Sequence, residues 1–212
     1  MIQILGVLLM CIGAAIAAVP RCIVIDGKLK QLDAGAGQVY GVNDNDDIYQ
    51  WNGNGWKEMP GKLRHVTVGP AGVWGVNKIQ EIFTFQDNRW VQASGRLNHI
   101  DAGGNNFLSG ANKFQEIFCA NKDQTISNPA NIDYNPIDGI LKYYSCGLYG
   151  CWGVNFGGSI FYRHDVQPTA CRGSRWQQIE GRLAMVEVGT DGSVYGMNNE
   201  GQVYKSRSRT SL

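Results

Sequence analysis

Along most of this chain apolar residues recur at a spacing of two, in runs too short for helices. Between residues 61 and 91 the pattern is complete: Leu63, Val66 and Val68, then Val73-Trp74 and Val76, then Ile82-Phe83 and Phe85, then Trp90 and Val91. Glycine, proline or asparagine turns separate the four runs, which predicts four short β-strands. Paired helices of a solenoid would show apolar spacings of three and four instead.

The same unit occurs five times. Each copy opens on Gly-x-Leu, at Gly27-Lys28-Leu29, Gly61-Lys62-Leu63, Gly95-Arg96-Leu97, Gly139-Ile140-Leu141 and Gly181-Arg182-Leu183. Eight positions after each first glycine stands another, at Gly35, Gly69, Gly103, Gly147 and Gly189. A Gly-x-Asn follows, at Gly41/Asn43, Gly75/Asn77, Gly110/Asn112, Gly153/Asn155 and Gly196/Asn198. Next come Ile48-Tyr49, Ile82-Phe83, Ile117-Phe118, Ile160-Phe161 and Val203-Tyr204, and three copies close on Trp56, Trp90 and Trp176. Successive starts are 34, 34, 44 and 42 residues apart. Four strands per unit at that period predict an all-β fold, a β-propeller whose blades must be sandwiched by neighbours to bury both faces.

The two longer periods carry insertions. Residues 121–138 are expected to replace the closing strand of blade three, with its tryptophan, by a polar loop, and residues 163–174 to do something similar in blade four. The recurring Gly-x-Asn has two readings. It could contact sugar, or the glycine could relieve crowding while the asparagine closes an Asx-turn on its own backbone; recurrence in every unit favours the second. The aliphatic–aromatic pairs likewise read as inter-blade core before ligand platform.

Composition agrees with strands and turns. There are 28 glycines, and Trp, Tyr and Phe make up 10% of residues, suiting positive-φ turns and pleated surfaces. The formal charge of +1 gives no global field toward nucleic acid or an anionic membrane. Residues 4–16 are apolar and are followed by Ala17-Ala18, which predicts an export signal over residues 1–18 and a single propeller domain over 19–212. The competing reading is a buried N-terminal strand. Export places the chain outside the cell, where disulfides persist. Cys11 leaves with the signal, so Cys22, Cys119, Cys146, Cys151 and Cys171 remain. Cys146 with Cys151 is the expected bridge across a tight loop. Cys119 and Cys171, in or beside the insertions, are proposed to staple neighbouring blades, other connectivities staying open; Cys22 is then the odd thiol. Zinc is disfavoured, because no second close Cys or His pair follows.

No catalytic constellation is visible. His65 and His99 share a repeat slot with Gln31, Tyr143 and Met185, which suggests a rim or partly exposed strand position rather than a general base. No Gly-x-Ser-x-Gly elbow, His-Glu-x-x-His helix or phosphate loop occurs. The acidic stretch at residues 44–47 could take calcium but lacks the spacing of an EF-hand, so a solvated turn is the better reading and no cofactor is expected. The chain also has no Asn-x-Ser/Thr sequon.

Two segments, residues 61–77 and Tyr143-Tyr144-Ser145-Cys146-Gly147 with Cys151-Trp152, closely resemble tectonin repeats and, more narrowly, those of the fish egg lectins. The likeness covers about residues 22–204. It implies a secreted six-bladed propeller that binds N-acetylglucosamine-type sugars and microbial surface glycans such as lipopolysaccharide, in innate defence. The family pattern would continue from blade five into blade six, whereas here Tyr204 is followed by only eight residues. A chain cut within blades five and six is therefore expected, with Cys22 placed to staple the closure and an exposed edge inviting a second copy. The residues expected to offer polar fingers to a sugar, from loops, are Asp33, Asn43, Asn77, Asp101, Asn112, Asn155 and Asn198. The alternative function is a protein-interaction scaffold of egg envelope or plasma, with a calcium-dependent propeller hydrolase a distant third.

Overall fold

The computed structural model describes residues 26–206, apart from the side chains of Ile126 and Ser127. The expected signal segment, Cys22 and residues 207–212 lie outside the described residues. Five antiparallel meanders follow one another. Blade one is β1 (Gln31–Gly35), β2 (Gln38–Val42), β3 (Asp47–Trp51) and β4 (Trp56–Lys62); blade two is β5 (His65–Gly69), β6 (Gly72–Val76), β7 (Glu81–Gln86) and β8 (Arg89–Arg96). Blade three is β9 (His99–Asp101), β10 (Leu108–Ala111), β11 (Glu116–Ala120) and β12 (Asn135–Ile140). Blade four is β13 (Tyr143–Gly147), β14 (Gly150–Val154), β15 (Ser159–Arg163) and β16 (Trp176–Arg182). Among the described residues blade five has three strands, β17 (Met185–Val188), β18 (Val194–Met197) and β19 (Val203–Lys205). The first strand of each blade touches the first strand of the next, so these strands surround a common axis in a five-bladed propeller arrangement.

The core is divided among the blade interfaces. Tyr40, Val42, Ile48 and Met59 of blade one pack on Leu63, Val66, Val68 and Val73 of blade two. Trp74 and Ile82 meet Leu97, Ile100 and Leu108; Phe107 and Ile117 meet Leu141 and Tyr144; Trp152 and Ile160 meet Val186 and Val194. Blades two, three and four thus each contribute to two cores and blades one and five to one, which is why one unit alone could not bury its apolar faces.

The repeated glycines have three different jobs. Those that open units two to five lie at the end of the preceding outer strand, where the register shifts by two residues. Gly61, Gly95, Gly139 and Gly181 adopt φ of 95°, 90°, 105° and 117° there, a region that favours glycine. The glycines of Gly-x-Asn lie under the leucine of their own unit: a Cβ on Gly75 would stand 2.5 Å from Leu63 Cδ1. The third set, in blades one to four, faces the neighbouring blade at the axis.

Blade three departs from expectation. The insertion does not replace the closing strand: β12 is present, and Tyr134 stands against Gly95 where Trp90 stands against Gly61. The extra residues instead form the short helix α1 (Lys122–Ser127) and a 3-10 turn, Pro129–Asn131, lodged before β12. Likewise β16 is complete, and the blade-four insertion is the loop ahead of it. Cys171 in that loop is joined to Cys119 of β11, which staples blade four to blade three, and Cys146 is joined to Cys151 across the β13–β14 hairpin.

Candidate functional site

The repeat generates one surface feature several times over. In blades one to four the aliphatic member of the pair enters the core, with Ile48, Ile82 and Ile117 fully buried, whereas Phe83, Phe118 and Phe161 are only half-buried; in blade five Val203 and Tyr204 are both exposed. This split follows from strand alternation. The aromatic member then forms the wall of a shallow cleft whose floor is the opening glycine and its leucine. In blade four Gly139, Ile140, Leu141, Phe161 and Trp176 enclose about 120 Å³. In blade three Gly95, Arg96, Leu97, Asn112, Phe118 and Tyr134 enclose about 180 Å³. A third, of about 350 Å³, is lined by Ile160, Glu180, Gly181, Arg182, Leu183 and Tyr204. Each cleft is apolar at its base and carries few polar groups at its rim, the composition of small-ligand sites.

Polar atoms near these clefts are unevenly satisfied. Trp176 Nε1 donates to the Asp138 carbonyl at 2.6 Å, and the Arg163 guanidinium stacks 4.9 Å over the Trp176 ring while pairing Asp138 at 2.8 Å. Trp90 Nε1 and the Tyr134 hydroxyl, in the same repeat slot, are buried without a hydrogen-bond partner. Burial raises the Tyr134 phenol above its ordinary pKa, so it stays a neutral donor. An unmet buried donor costs about 1–3 kcal/mol, which a ligand hydroxyl reaching it would recover.

The asparagines expected to touch sugar lie in the turns between the second and third strands of their blades, and their side chains hold those turns. Asn77 Oδ1 accepts from the backbone N–H of Ile79 (3.1 Å) and Glu81 (2.9 Å), while its Nδ2 donates to Glu81 Oε2 at 2.8 Å. Asn43, Asn112 and Asn198 repeat the arrangement, and Asn155 accepts from Ser159 N at 2.9 Å. Asn112 lines the blade-three cleft, and Asn77 lines a cavity of about 310 Å³ between the turns of blades one and two. Replacing Asn77 with alanine is expected to cost about 1–2 kcal/mol in urea unfolding, because two backbone donors lose their acceptor.

Asp33 and Asp101 are not in loops. They stand on the inner strands β1 and β9, and their carboxylates point across the axis into the next blade. Asp33 Oδ2 accepts from Val68 N at 2.8 Å, Thr67 Oγ1 from Ala102 N at 3.1 Å, Asp101 Oδ1 from Cys146 N at 3.1 Å and Ser145 Oγ from Val188 N at 3.1 Å. These residues and Glu187 occupy one repeat slot, six positions after the opening glycine. Ser145 Oγ also lies 2.8 Å from Glu187 Oε1 and 3.1 Å from Asp101 Oδ2. Burial, then mutual repulsion, raises the pKa of Asp101 well above the carboxylate range; burial also raises Asp33 and takes Glu187 to about 7. The ring stitches blade to blade.

The histidine slot lies on the inner strands, where Gln31, His65, Tyr143 and Met185 are partly exposed, as expected, and only His99 is buried. His65 and His99 stack at 4.5 Å and His99 and Tyr143 at 4.0 Å between ring centroids, His99 being 7% exposed. Burial lowers both imidazoles, His65 to about 4, so they are neutral spacers of the inner ring at neutral pH. In the acidic stretch Asp46 faces Lys30 and Asp47 faces Lys62. Among the described residues no three His, Cys, Asp or Glu side chains are arranged to hold a metal ion, and no helix is long and apolar enough to cross a membrane.

Radial meanders, inter-blade cores and a cleft repeated per unit define this protein as a β-propeller built from one tandem module. The family profile described as Tectonin domain matches residues 28–211. The chain belongs to the tectonin family. It is 56% identical over 186 residues to a protein of Cyprinus carpio named fish-egg lectin, an alignment covering 87% of this chain and 78% of that one. Among solved structures it is similar in fold to the WD40 β-propeller domain of Doa1 (TM-score 0.61, 9% identity, 89% of this chain and 68% of that one). It is similar also to human WBSCR16 (TM-score 0.56, 13% identity, 80% of this chain and 58% of that one). At such identities the likeness is one of fold.

Proposed function

We propose that this protein is a secreted carbohydrate-binding lectin that recognises N-acetylglucosamine-type sugars on microbial surface glycans, lipopolysaccharide among them, in innate defence. The carrying observation is the recurrence of one apolar, aromatic-walled cleft from blade to blade. Each such cleft suits the flat apolar face of a pyranose, and repetition turns weak individual contacts into useful avidity. The name of the carp relative supports sugar binding, and two disulfides support an oxidising compartment. The role is binding rather than turnover. The six-bladed ring implied by the family resemblance is part of this reading: Leu32 of blade one and Tyr195 and Met197 of blade five are exposed, faces that a further blade would cover. Asn112 and Arg96 supply polar rim groups to the blade-three cleft; the other turn asparagines act by shaping the rim.

A glycan array with free N-acetylglucosamine as competitor tests the reading. Folded wild-type protein is expected to give signal that the free sugar displaces, and a flat array overturns the lectin assignment. The double variant Phe118→Ser/Phe161→Ser is expected to lose roughly tenfold in array signal, two of the repeated sites being lost together. An unchanged signal from that variant, with its thermal melt still above the assay temperature, would move the sugar site out of these clefts.

A further inference from the structure

The turns between second and third strands and the connectors from blade to blade share one end of the propeller: Leu97 N bonds Gln80 O, Leu141 N bonds Gln115 O, and Arg64 reaches from its connector to Asn98 of the next. At this end blades two, three and four each project one apolar side chain into water, Ile79 (53% exposed), Phe114 (64%) and Phe156 (71%), with Ile140 (61%) at the end of β12. Singly such residues are ordinary; in the same turn of three consecutive blades they form a row. The tips of blades two and three are stiff, since Asn77 and Asn112 clamp the backbone N–H of Ile79 and Phe114 at 3.1 and 2.9 Å.

The charge around the row is one-sided. Across residues 61–65, 77–81, 95–99, 112–116, 139–143 and 155–159 there are six bases, Lys62, Arg64, Lys78, Arg96, Lys113 and Lys142, against Glu81 and Glu116. Both glutamates accept from the asparagine of their own turn, at 2.8 and 2.6 Å. Blade one's turn, by contrast, carries Asp44, Asp46 and Asp47. The opposite end of the propeller mixes Asp87, Asp123, Asp133, Asp165 and Asp191 with four exposed bases. A net charge of +1 therefore conceals a basic, apolar-tipped face.

We propose that this face docks onto the surface of an anionic phospholipid bilayer, with Ile79, Phe114 and Phe156 entering the headgroup region and Lys78, Lys113 and Lys142 meeting lipid phosphates. Charge complementarity selects the occupant. A soluble polyanion would use the bases but leave the apolar tips in water, whereas a bilayer interface satisfies both. The site is separate from the aromatic walls of the clefts, which leaves sugar binding and lipid docking independently testable.

Full-length secreted protein is sedimented with phosphatidylcholine vesicles and with phosphatidylcholine vesicles containing phosphatidylglycerol. Partition to the anionic vesicles only, weakened by added salt and unaffected by excess N-acetylglucosamine, is expected. Phe114→Ser/Phe156→Ser and, separately, Lys78→Ala/Lys113→Ala are each expected to reduce that partition by roughly tenfold, with unchanged thermal melts because all four residues are exposed. Equal partition to both vesicle types overturns the proposal, as does partition indifferent to the tip substitutions. Binding to heparin but not vesicles would assign the bases to a soluble polyanion. Phe114-dependent self-association without vesicle binding would assign the face to a second copy.

Discussion

Replacing Gly69 with alanine is expected to destabilise the protein by about 3 kcal/mol or more, the upper range for overpacking a tight interface. A Cβ at this position would lie 2.7 Å from the Ala102 carbonyl carbon, closer still to its oxygen, and 2.9 Å from Gly103 Cα. All of these atoms are backbone directly after the neighbouring inner strand β9, so no side chain can swing aside. Relief would require blades two and three to part at the axis, which would stretch the bond from Ala102 N to Thr67 Oγ1 and loosen the core beneath it. The equivalent glycine of blade five is the control. A Cβ on Gly189 meets chiefly the Asp191 carboxylate, at 2.9 Å, the movable end of a side chain, and Gly189→Ala is expected to cost well under half as much. Urea unfolding of both variants is the measurement. Equal losses would mean that the glycine serves its own turn and not the convergence of blades.

The same glycines show what can be read from the chain before its structure. A residue required by backbone crowding recurs in every unit because crowding recurs in every unit, so Gly35, Gly69, Gly103, Gly147 and Gly189 announce the repeat. The residues of the axial ring obey an equally strict rule that identity conceals. Asp33, Thr67, Asp101, Ser145 and Glu187 share only a side-chain oxygen at one offset, and in the first four that oxygen is what the next blade's N–H needs. Reading the slot for acceptor capacity rather than residue type would have found it, and would have moved Asp33 and Asp101 from loops to the axis. Tyr134 was hidden differently: an inserted helix displaced it from the position of the tryptophan it replaces. The clefts were missed because Ile-Phe reads as one apolar unit, although alternation sends its two members to opposite sides of the sheet. Net charge hid the basic end, since a sum over the whole chain discards which face each lysine is on.

Replacing Glu187 with glutamine is expected to stabilise the protein at high pH and to leave it nearly unchanged at low pH. Burial first and the Asp33 carboxylate second lift Glu187 to about 7, against hydrogen bonds from Ser145 and Tyr143 that pull the other way. Its ordinary value is 4.5, so over the intervening window the folded protein holds a proton that the unfolded chain releases. Stability contributed by this group is therefore fully present below the lower value, falls as pH rises through the window and levels off above the higher one. Glutamine keeps one acceptor oxygen for the Tyr143 hydroxyl, can donate its amide N–H to Ser145 Oγ, and cannot ionise. The advantage of the variant should grow from near zero at about pH 4 to on the order of 3 kcal/mol at about pH 8, the size of that shift converted to free energy. His65 and His99, lowered by burial, act oppositely: their stability is lost as pH falls. They are present in both proteins and drop out of the difference, which is why the comparison is made between variants and not along one curve. Chemical denaturation of the two proteins across that range gives the answer directly. An advantage that stays constant with pH would show that Glu187 is already ionised inside the folded ring, matched by charge from some other quarter, and the axis would then be held by paired ions rather than by shared protons.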